Sequence, residues 1–337
     1  MTKLTTAFLG VAHIHTPDFV RRLNARSGQI TVKYVYDREA ERGTKVAGET
    51  GAQFVSDVDT ILNDPEVTSV IVCSETNFHE DLVIRAAKAG KNLFVEKPLG
   101  LGAEDSANIA AAIKEAGVIF QTGFFQRSSP INIFIKKEIE AGNLGKITRV
   151  SYSNCHQAAL DGWFDTDWRW LADKSLAGGG AMLDLGAHML DLIIDTIIPS
   201  EGEVTSLAAA LGNKGGRYGD EIDEYGTALL TFASGATATF DASWIDPKLK
   251  STWEIYGTEG QIQVIGYTQV LYFSKKVEGA DGSPITELPA SAPHAFELWV
   301  EALLGNTLPV PLVTVDQAAL GSTLMERIYI SAGRTTR

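Results

Sequence analysis

Two side chains with complementary acid–base chemistry lie four residues apart in a segment that predicts a helix. Asp184 and His188 have the spacing that places both on one helical face. An imidazole accepts or donates a proton near neutral pH, and a carboxylate one turn away can orient the ring or stabilise its cationic form. Such a pair is also common on helix surfaces, so it indicates a proton-transfer site only when further groups lie beside it.

A third candidate is Lys97, which follows a short apolar run that predicts a buried strand. An ammonium group at a buried strand end can donate to a substrate oxygen and so lower the pKa of an alcohol. The simpler alternative is that Lys97 ends the strand and Pro98 makes the turn. Together, Lys97, Asp184 and His188 favour a catalytic site. We assign the proton to His188 with Lys97 as its electrostatic partner, but the sequence leaves the choice between these two residues open.

The elements that must position these groups begin with short apolar runs that alternate with helical segments in the N-terminal third. The predicted strands are residues 4–9, 31–36, 53–55, 67–72, 92–95 and 118–122, and the predicted helices are residues 17–26, 40–50, 58–62, 79–89 and 103–116. Strands that alternate with helices predict βαβ units and a parallel sheet. Parallel sheets bind ligands at the carboxyl ends of their strands, so the residues that follow each strand are the candidates.

The loop after the first predicted strand keeps only the first glycine, Gly10, of the dinucleotide fingerprint Gly-x-Gly-x-x-Gly. Ala12 puts a methyl group where the backbone approaches a pyrophosphate, and His15 is bulky where the helix packs on the strand. Thr16 as N-cap and Pro17 at the first helical position predict a longer loop that turns His15 outwards. The first-turn amides of that helix can still meet a phosphate. The predicted contacts of this loop with a dinucleotide are Gly10, Ala12, His13 and Ile14.

Asp37 ends the second predicted strand, 27 residues after Gly10. An acid at that place accepts hydrogen bonds from a ribose diol in dinucleotide-binding domains. The alternative is a solvated loop aspartate, and the βαβ context favours the ribose role. An unpaired aspartate would repel a 2′-phosphate and favours NAD, whereas Arg38 beside it can accept a 2′-phosphate or stack on adenine. NAD is therefore the preferred cofactor, and NADP stays possible.

From about residue 146 the pattern changes to β-rich alternation. The predicted strands are residues 147–153, 204–211, 225–232, 236–244, 252–256, 261–265 and 270–273. Tight turns between several of them predict an antiparallel sheet with one face on helices and one available to a second subunit. Residues 275–293 predict an exposed loop, and helices over residues 296–304 and 316–332 are expected to return towards the first domain. We place the two domains at residues 1–124 and 125–337.

Composition excludes several classes of partner. The chain has 337 residues and a formal net charge of −13, which repels the phosphates of nucleic acid and of anionic membranes. Its apolar runs fall short of the roughly 20 residues of a membrane helix, and the N-terminus does not have the pattern of a signal peptide. We therefore expect a cytoplasmic protein without nucleic-acid or membrane partners.

Three motifs, taken together, resemble the Gfo/Idh/MocA oxidoreductases, the family of glucose-fructose oxidoreductase and inositol dehydrogenase. The motifs are Ser74-Glu75-Thr76-Asn77-Phe78-His79, then Glu96-Lys97-Pro98, then the glycine-rich segment Gly178-Gly179-Gly180 that leads to Asp184 and His188. The resemblance covers essentially the whole chain. It implies an α/β fold with an N-terminal Rossmann parallel sheet and a C-terminal α+β domain that carries a large, mostly antiparallel open sheet. In this family that sheet often forms the oligomer interface, which implies a homodimer or homotetramer.

The resemblance also implies roles for individual residues. Lys97 matches the catalytic-site lysine of the family, and Asp184 and His188 match its acid–base pair. The family's loop on the nicotinamide side corresponds here to Ser74, Glu75, Thr76, Asn77 and His79. The predicted cofactor contacts are completed by Asp37, Arg38, Glu96 and Lys97.

Candidate substrate contacts flank these motifs. Gln126 and Arg127 follow the last strand of the first domain, His156 lies just beyond the strand predicted at 147–153, and Arg169 lies in a tryptophan-rich loop. We add them to Lys97, Asp184 and His188 as substrate residues, although packing or surface roles are the simpler alternative for most of them. We predict no metal, because the spacing of the histidines is not that of metal ligands and hydride transfer to nicotinamide needs none.

The expected function is an NAD(P)-dependent oxidoreductase that transfers hydride between nicotinamide and a secondary alcohol or ketone of a sugar, polyol or cyclitol. Two alternatives stay open. One is a glycoside hydrolase that uses NAD through transient oxidation, and the other is a non-catalytic nucleotide or sugar sensor. The presence of a lysine, an aspartate and a histidine in one acid–base set favours an enzyme over a sensor.

Overall fold

The computed structural model describes residues 3–266 and 268–337, and its first layer is a six-stranded parallel sheet. The strands are β1 (Leu4–Val11), β2 (Ile30–Tyr36), β3 (Gln53–Val55), β4 (Ser69–Cys73), β5 (Asn92–Val95) and β6 (Phe120–Thr122). They pair in the order β3-β2-β1-β4-β5-β6. This is the doubly wound order. The chain adds strands outward from β1 to β3, then returns to the other side of β1 and continues outward from β4 to β6, so the strand order switches between β1 and β4. The predicted parallel sheet is confirmed.

Helices cover both faces of this sheet. They are α1 (Thr16–Ala25), α2 (Ala40–Thr50), α3 (Asp59–Leu62), α4 (His79–Lys88) and α5 (Ala103–Ala116). Successive residues of β1 enter different cores, because Ala7 and Leu9 face one side of the sheet and Phe8 faces the other. One prediction for α1 is wrong. His15 takes the N-cap position, Thr16 is already helical, and no side chain caps the helix.

The second layer is an eight-stranded sheet. Its strands are β7 (Ile147–Cys155), β8 (Val204–Gly212), β9 (Tyr225–Phe232), β10 (Thr237–Ser243), β11 (Lys250–Gly257), β12 (Gly260–Ile265), β13 (Gln269–Ser274) and β14 (Asp281–Pro284). They pair in the order β14-β13-β12-β11-β7-β10-β9-β8, and all pairs are antiparallel except β7 with β10. The mostly antiparallel sheet is confirmed. The segment 275–293 is not all loop, because it contains β14.

The remaining helices are α6 (Pro130–Glu140), α7 (Lys174–Ala177), α8 (Ala181–Thr196), α9 (Ile198–Glu201), α10 (Ala295–Leu303) and α11 (Val315–Ser331). Helix α8 packs against the inner face of the eight-stranded sheet, and nearly all of its residues are buried. By length and composition alone, the stretch Lys174–Thr196 could span a membrane, but 94% of its most apolar window lies inside the molecule. This is the burial of a core helix.

The C-terminal helices return to the first layer. Phe296 of α10 stacks on Phe19 of α1 with ring centroids 4.8 Å apart, and Trp299 lies against Phe94 of β5. Each such aromatic pair contributes about 0.5–1.5 kcal/mol beyond its buried area. Helix α11 packs on both α5 and α8. These contacts hold the carboxyl edge of the parallel sheet against α8, which is where the candidate acid–base residues lie.

Candidate active site

Lys97 lies two residues past β5, at the carboxyl edge of the parallel sheet, and its side chain is 3% exposed. Its ammonium Nζ is 2.6 Å from Asp184 Oδ1 and 3.3 Å from the Asp184 carbonyl oxygen. Asp184 belongs to the first turn of α8, so this ion pair joins the two layers. The structure therefore brings together two of the three residues predicted to carry the chemistry.

Glu96 holds the backbone of Lys97 in place. Its carboxylate is fully buried and accepts a hydrogen bond from the Lys97 amide at 2.9 Å, while its second oxygen lies 3.1 Å from His15 Nδ1. The carboxylate packs over Gly123, where a Cβ would come within 2.5 Å of it. Burial opposes the charge, but the imidazoles of His13 and His15 and the Lys97 ammonium lower the pKa of Glu96 below its ordinary value. Glu96 is thus a buried support of Lys97, and the cofactor contact predicted for it stays a prediction.

The start of α8 is fixed by a buried carboxylate. Asp223 accepts hydrogen bonds from the amides of Gly180 and Met182, both at 2.8 Å, and from the Tyr329 hydroxyl at 2.6 Å. The close approach requires glycine, because a Cβ at Gly180 would lie 2.0 Å from the Asp223 carbonyl oxygen. Asp223 therefore caps the helix and holds the turn that carries Asp184.

Asp184 is held from both sides. Its second oxygen accepts a hydrogen bond from Trp244 Nε1 at 3.1 Å, opposite the Lys97 contact. Burial opposes ionisation, but the charge and hydrogen bond of Lys97 outweigh it and lower the pKa of Asp184. The carboxylate is therefore ionised at neutral pH and can orient the lysine ammonium.

His188, one turn further along α8, is buried and neutral. Burial, followed by the charge of Lys97, lowers its pKa well below 6.5. Its Nδ1 has no hydrogen-bond partner among the residues that the structure describes. The ring lies against Phe125, with centroids 5.2 Å apart. A neutral imidazole with an unused nitrogen can accept a proton at neutral pH.

His156, another predicted substrate residue, directly follows β7. Its Nδ1 accepts a hydrogen bond from the Ala158 amide at 3.2 Å, so Nε2 carries the proton and can donate. Burial lowers the pKa of His156, while the charge of Asp184 raises it, which shows that the two groups share one electrostatic environment. The ring stacks on Trp163 with centroids 5.0 Å apart.

The two predicted arginines are engaged elsewhere. Arg127 forms an ion pair with Asp191 at 2.5 Å and a second with Asp195 at 3.1 Å, so its guanidinium is turned towards α8. Arg169 is exposed and lies over the Tyr218 ring at 4.8 Å. Spacing alone could not show these partners, and neither arginine is brought to the Lys97–Asp184 pair.

A cleft of about 570 Å³ runs along the carboxyl edge beside the loop after β1. Its walls include Ala12 and His13, the cations Arg42 and Lys45, and Trp168 of the second layer. Trp170 Nε1 donates to the Ala12 carbonyl at 2.9 Å, which closes one end of the cleft. The volume is within the range of ligand pockets, about 300–1,000 Å³. The wall also carries the carboxylates Glu39, Glu41, Glu49 and Asp167, and Arg42 is ion-paired with Asp37 and Glu75. The volume and the position at the carboxyl edge fit a dinucleotide, and Lys45 is the cation placed to meet a phosphate.

Two expectations about this cleft need correction. The first-turn amides of α1 are in use, because Thr16 donates to the His13 carbonyl, and Asp18 and Phe19 donate to the His15 carbonyl. Pro17 has no N–H. A phosphate at this end must therefore meet loop groups or the cations of α2.

Asp37 is the second correction, because it is not unpaired. Its carboxylate is buried and accepts four hydrogen bonds, from the Val11 amide at 2.7 Å, the Glu39 amide at 2.8 Å and the Arg42 guanidinium at 2.7 and 3.1 Å. A carboxylate has about four acceptor positions, so a ribose hydroxyl would have to share them or displace Arg42. The ribose role stays a prediction. Arg38 next to it lies over the Phe78 ring at 4.9 Å.

The residues of the loop after β4 differ in their surroundings, because some have polar atoms near the cleft and others are buried and hold neighbouring loops together. Glu75 forms an ion pair with Arg42 at 3.0 Å, and the buried Asn77 Oδ1 has no partner in the described part of the chain. His79 is fully buried, and its ring nitrogens lie 3.1 Å from the Pro98 carbonyl and 3.3 Å from the Ser74 carbonyl. His79 therefore joins the two strand-end loops and does not face the cleft. Thr76 lies beside Lys97 in a narrow space below them.

His13, His15 and Glu96 have the composition of a metal site, with ligand atoms within 4.8 Å of one another. However, His13 Nδ1 accepts a hydrogen bond from the His15 amide at 3.3 Å, so the proton lies on Nε2, the nitrogen that faces Glu96. Burial lowers the pKa of His13 to about 3, and the ring is neutral. Its Nε2 lies 3.7 Å from Glu96, beyond hydrogen-bond distance, and has no hydrogen-bond partner among the described residues. The absence of a metal stays a prediction.

Two family models match this chain. Residues 4–124 match the oxidoreductase family with an NAD-binding Rossmann fold, and residues 133–263 match the GFO/IDH/MocA C-terminal domain. The chain belongs to the Gfo/Idh/MocA oxidoreductase family. This membership confirms the family inferred from the motifs and the NAD-binding character of the first domain. The boundary predicted at residues 124 and 125 stays a prediction.

Named Gfo/Idh/MocA relatives cover most of the chain. A scyllo-inositol 2-dehydrogenase (NAD(+)) from Bacillus subtilis is 30% identical, over 83% of this chain and 80% of its own length. A levoglucosan dehydrogenase from Pseudarthrobacter phenanthrenivorans is 28% identical, over 79% of this chain and 75% of its own. The structure of a levoglucosan dehydrogenase in complex with NADH and L-sorbose has a TM-score of 0.82 at 20% identity, covering 98% of this chain and 97% of that one. At that identity the structural likeness shows the Gfo/Idh/MocA fold.

Sequence analysis missed three residues that complete this Gfo/Idh/MocA site. Trp244 binds Asp184, Asp223 caps α8, and Phe125 lies against His188. Phe125 was one position from the predicted Gln126, and its place after a strand of the parallel sheet could have indicated it. Trp244 and Asp223 gave no signal, because their contacts depend on how the eight-stranded sheet packs on α8.

Proposed function

We propose that the protein transfers hydride between NAD and a secondary alcohol or ketone of a sugar, polyol or cyclitol. The observation that carries this proposal is the buried 2.6 Å pair of Lys97 and Asp184 at the carboxyl edge of the Rossmann sheet, with neutral His188 one turn along the same helix. NADP stays a possible second cofactor. The named relatives support the proposal, since they are dehydrogenases of an inositol and of an anhydrosugar.

Each residue has one task in this mechanism. Lys97 donates to the substrate oxygen and stabilises negative charge on it. Asp184 orients the lysine, and Trp244 and the helix cap orient Asp184. His188 accepts the hydroxyl proton, and His156 is placed to donate to a second hydroxyl. When bound, NAD takes up the hydride of the carbinol carbon or returns it.

The cofactor is proposed to lie in the cleft beside Ala12 and His13, with Lys45 near its phosphates and Arg42 beside Asp37 at the ribose end. Thr76 and Asn77 lead from there towards Lys97, and the unpartnered Asn77 Oδ1 offers an acceptor for an amide or hydroxyl donor. The buried location of the acid–base set excludes bulk water, which strengthens the charge interactions on which the reaction depends.

The test is the formation of NADH when the protein and NAD are mixed with inositols, aldoses and alditols, with NADP in parallel. The Lys97→Ala variant should lose the signal, and Lys114→Ala, an exposed lysine paired with Asp316 at 2.6 Å, should keep it. Full turnover by Lys97→Ala would contradict the assignment. Glycoside cleavage without net NADH would favour the hydrolase alternative, and binding without any turnover would favour the sensor.

The assembly proposed for the protein is a homodimer or homotetramer through the outer face of the eight-stranded sheet. Supporting this, Leu229 of β9, Ile265 of β12 and Phe273 of β13 are 41%, 52% and 38% exposed on that face. Scattered apolar residues are normal on monomers, but three on one flat face favour self-association. Light scattering should give a dimer or tetramer mass that falls to the monomer in a Leu229→Asp/Phe273→Asp variant. A monomer mass for the wild type would contradict it. The cytoplasmic location stays a prediction.

A further inference from the structure

A second cavity, of about 560 Å³, lies on the inner face of the eight-stranded sheet, away from the dinucleotide cleft. Its walls come from the turn after β6, the start of α6, strands β7, β11 and β12, and the segment before α10. It is as large as the cleft that fits the cofactor, and nothing in the mechanism above uses it. A cavity of this volume is within the range of pockets for drug-sized ligands.

This cavity adjoins the acid–base site through one aromatic ring. Phe125 contributes to the cavity wall and also lies against His188, with ring centroids 5.2 Å apart. His294 stacks on Phe125 at 5.6 Å and an interplanar angle of 11°, and His15 contacts its edge at 5.9 Å. The row His188–Phe125–His294 therefore leads from the proton acceptor to the cavity. Phe125 therefore borders both His188 and the cavity, and a substrate held over His188 would enter the cavity past this ring.

The walls select for an uncharged aromatic group. Phe125, Tyr152 and Trp253 supply ring surfaces, and Val264, Leu288 and Ile131 supply aliphatic ones. None of the described residues that line the cavity carries a formal charge, since burial lowers the pKa of His294 to about 4 and keeps it neutral at pH 7. The nearby Arg127 is held by Asp191 and Asp195. A phosphate or carboxylate would find no countercharge there.

One hydrogen-bond donor in the wall is left for a ligand. His294 Nδ1 accepts from the Phe296 amide at 3.2 Å, which leaves its Nε2–H to donate. Trp253 contributes to the wall, but its Nε1 is buried away from solvent and is not counted as a donor to the cavity. An aromatic ring that carries an oxygen acceptor matches the ring surfaces and the His294 donor.

We propose that this cavity binds an uncharged aromatic substituent of the substrate, so that the substrate class is a sugar or polyol linked to an oxygen-bearing aryl group. This assignment rests on the proposed function, because it requires the sugar ring to lie at Lys97, Asp184 and His188. It extends that function from free sugars to aryl glycosides.

The test compares the methyl and phenyl glycosides of one sugar, either the one that gives the strongest NADH signal or glucose if none does. Calorimetric titration of the protein with NAD should give a Kd for the phenyl glycoside about tenfold or more below that for the methyl glycoside, from burial of the ring. Ala292→Trp, which places a large side chain on the cavity wall, should bring this ratio towards one. Ala208→Trp, on an exposed strand position, should leave the ratio as in the wild type.

The His294 donor gives a second readout. A 4-methoxyphenyl glycoside should bind about threefold to tenfold more tightly than the phenyl glycoside, and His294→Phe, which keeps a ring at this place and removes the donor, should remove that difference. Equal binding of methyl and phenyl glycosides, or a phenyl preference that survives Ala292→Trp, would overturn the cavity assignment. A phenyl preference in calorimetry without turnover of any sugar would contradict the proposed function and leave the cavity assignment standing.

Discussion

The Lys97 ammonium and the Asp184 carboxylate lie 2.6 Å apart, although 87 residues separate them in the chain and each comes from a different sheet layer. Lys97 ends a buried strand of the Rossmann sheet, and Asp184 begins the core helix of the second domain. The pair therefore forms only when the two layers close on each other. Acid–base chemistry at this place depends on the domain packing as well as on the residue types.

We expect Lys97 and Asp184 to act as a unit. Lys97→Met and Asp184→Asn should each lower kcat by about 10²–10⁴, because the first removes the donor to the substrate oxygen and the second leaves it poorly oriented. The double variant should be no worse than about the poorer single variant. Steady-state kinetics of the four forms measure this coupling.

The control is the exposed pair Lys114 and Asp316, which has the same 2.6 Å separation. Lys114→Met, Asp316→Asn and the double variant should keep kcat within about twofold, since exposed pairs contribute little. If the losses of activation free energy in the two single variants of Lys97 and Asp184 add up to the loss in the double variant, the two residues act independently.

Trp244 is a positioning residue for Asp184. Trp244→Phe removes a hydrogen bond to the charged carboxylate and leaves it less firmly oriented, so kcat should fall by roughly tenfold with KM changing little. The readout is this split between kcat and KM in steady-state kinetics. Trp299→Phe is the matched control, because Trp299 Nε1 has no partner among the described residues. An unchanged kcat in Trp244→Phe would remove this role.

The buried state of His188 predicts the pH dependence of oxidation. Since burial holds the pKa of His188 well below 6.5, the imidazole stays unprotonated and able to accept a proton throughout the neutral range. The kcat/KM for alcohol oxidation should therefore show no loss of activity with an apparent pKa near 6.5 as the pH falls from about 8 to 6. A one-proton decline centred near 6.5 would mean that the acceptor is an exposed imidazole.

Stability should depend on His13 in the same pH region. Burial lowers its folded-state pKa to about 3, so below pH 6.5 the unfolded chain binds a proton that the folded protein does not. The free energy of unfolding should fall by up to about 1.4 kcal/mol per pH unit from this one group between pH 6.5 and about 3. In His13→Asn, urea unfolding at several pH values should show a shallower dependence. An unchanged slope would mean that His13 is protonated in the folded state.

Asp37 is predicted to set the choice between NAD and NADP. Asp37→Asn removes the charge that repels a 2′-phosphate and weakens contacts to ribose, so the ratio of kcat/KM for NAD to that for NADP should fall by about 10–100-fold. Asp57→Asn is the matched control, because Asp57 accepts the same kind of hydrogen bond from the amide two residues on, in an exposed turn. If the ratio of kcat/KM for NAD to that for NADP is unchanged in Asp37→Asn, Asp37 does not select the cofactor and serves only to bind the Val11 amide and Arg42.

The sequence predicted the elements whose pattern is local. Alternating strands and helices gave the parallel sheet, and the residues that follow β4 and β5 gave the loops around Lys97. The four-residue spacing of Asp184 and His188 on α8 holds in the structure. These features depend on periodicity and on short motifs, both of which can be seen in a single chain.

The partners of individual side chains were not predictable in this way. Arg127 has the chemistry of a substrate contact, but Asp191 and Asp195 hold it through an ion pair across 64 and 68 residues. Glu96 and His79 follow the motifs as cofactor contacts would, yet burial makes them supports of the loops. Trp244 has no motif, and its contact with Asp184 arises only because the eight-stranded sheet packs on α8.

The most direct test of the account is the transfer of deuterium from a substrate labelled at its carbinol carbon. With the most active sugar, polyol or cyclitol, mass spectrometry of the nicotinamide should show one deuterium per oxidised substrate for the wild type and at least about 10²-fold less transfer for Lys97→Met. Two results would contradict the central claim. The first is that no substrate transfers deuterium to the nicotinamide and that labelled NADH transfers none to any corresponding ketone. The second is that Lys97→Met transfers as much deuterium as the wild type.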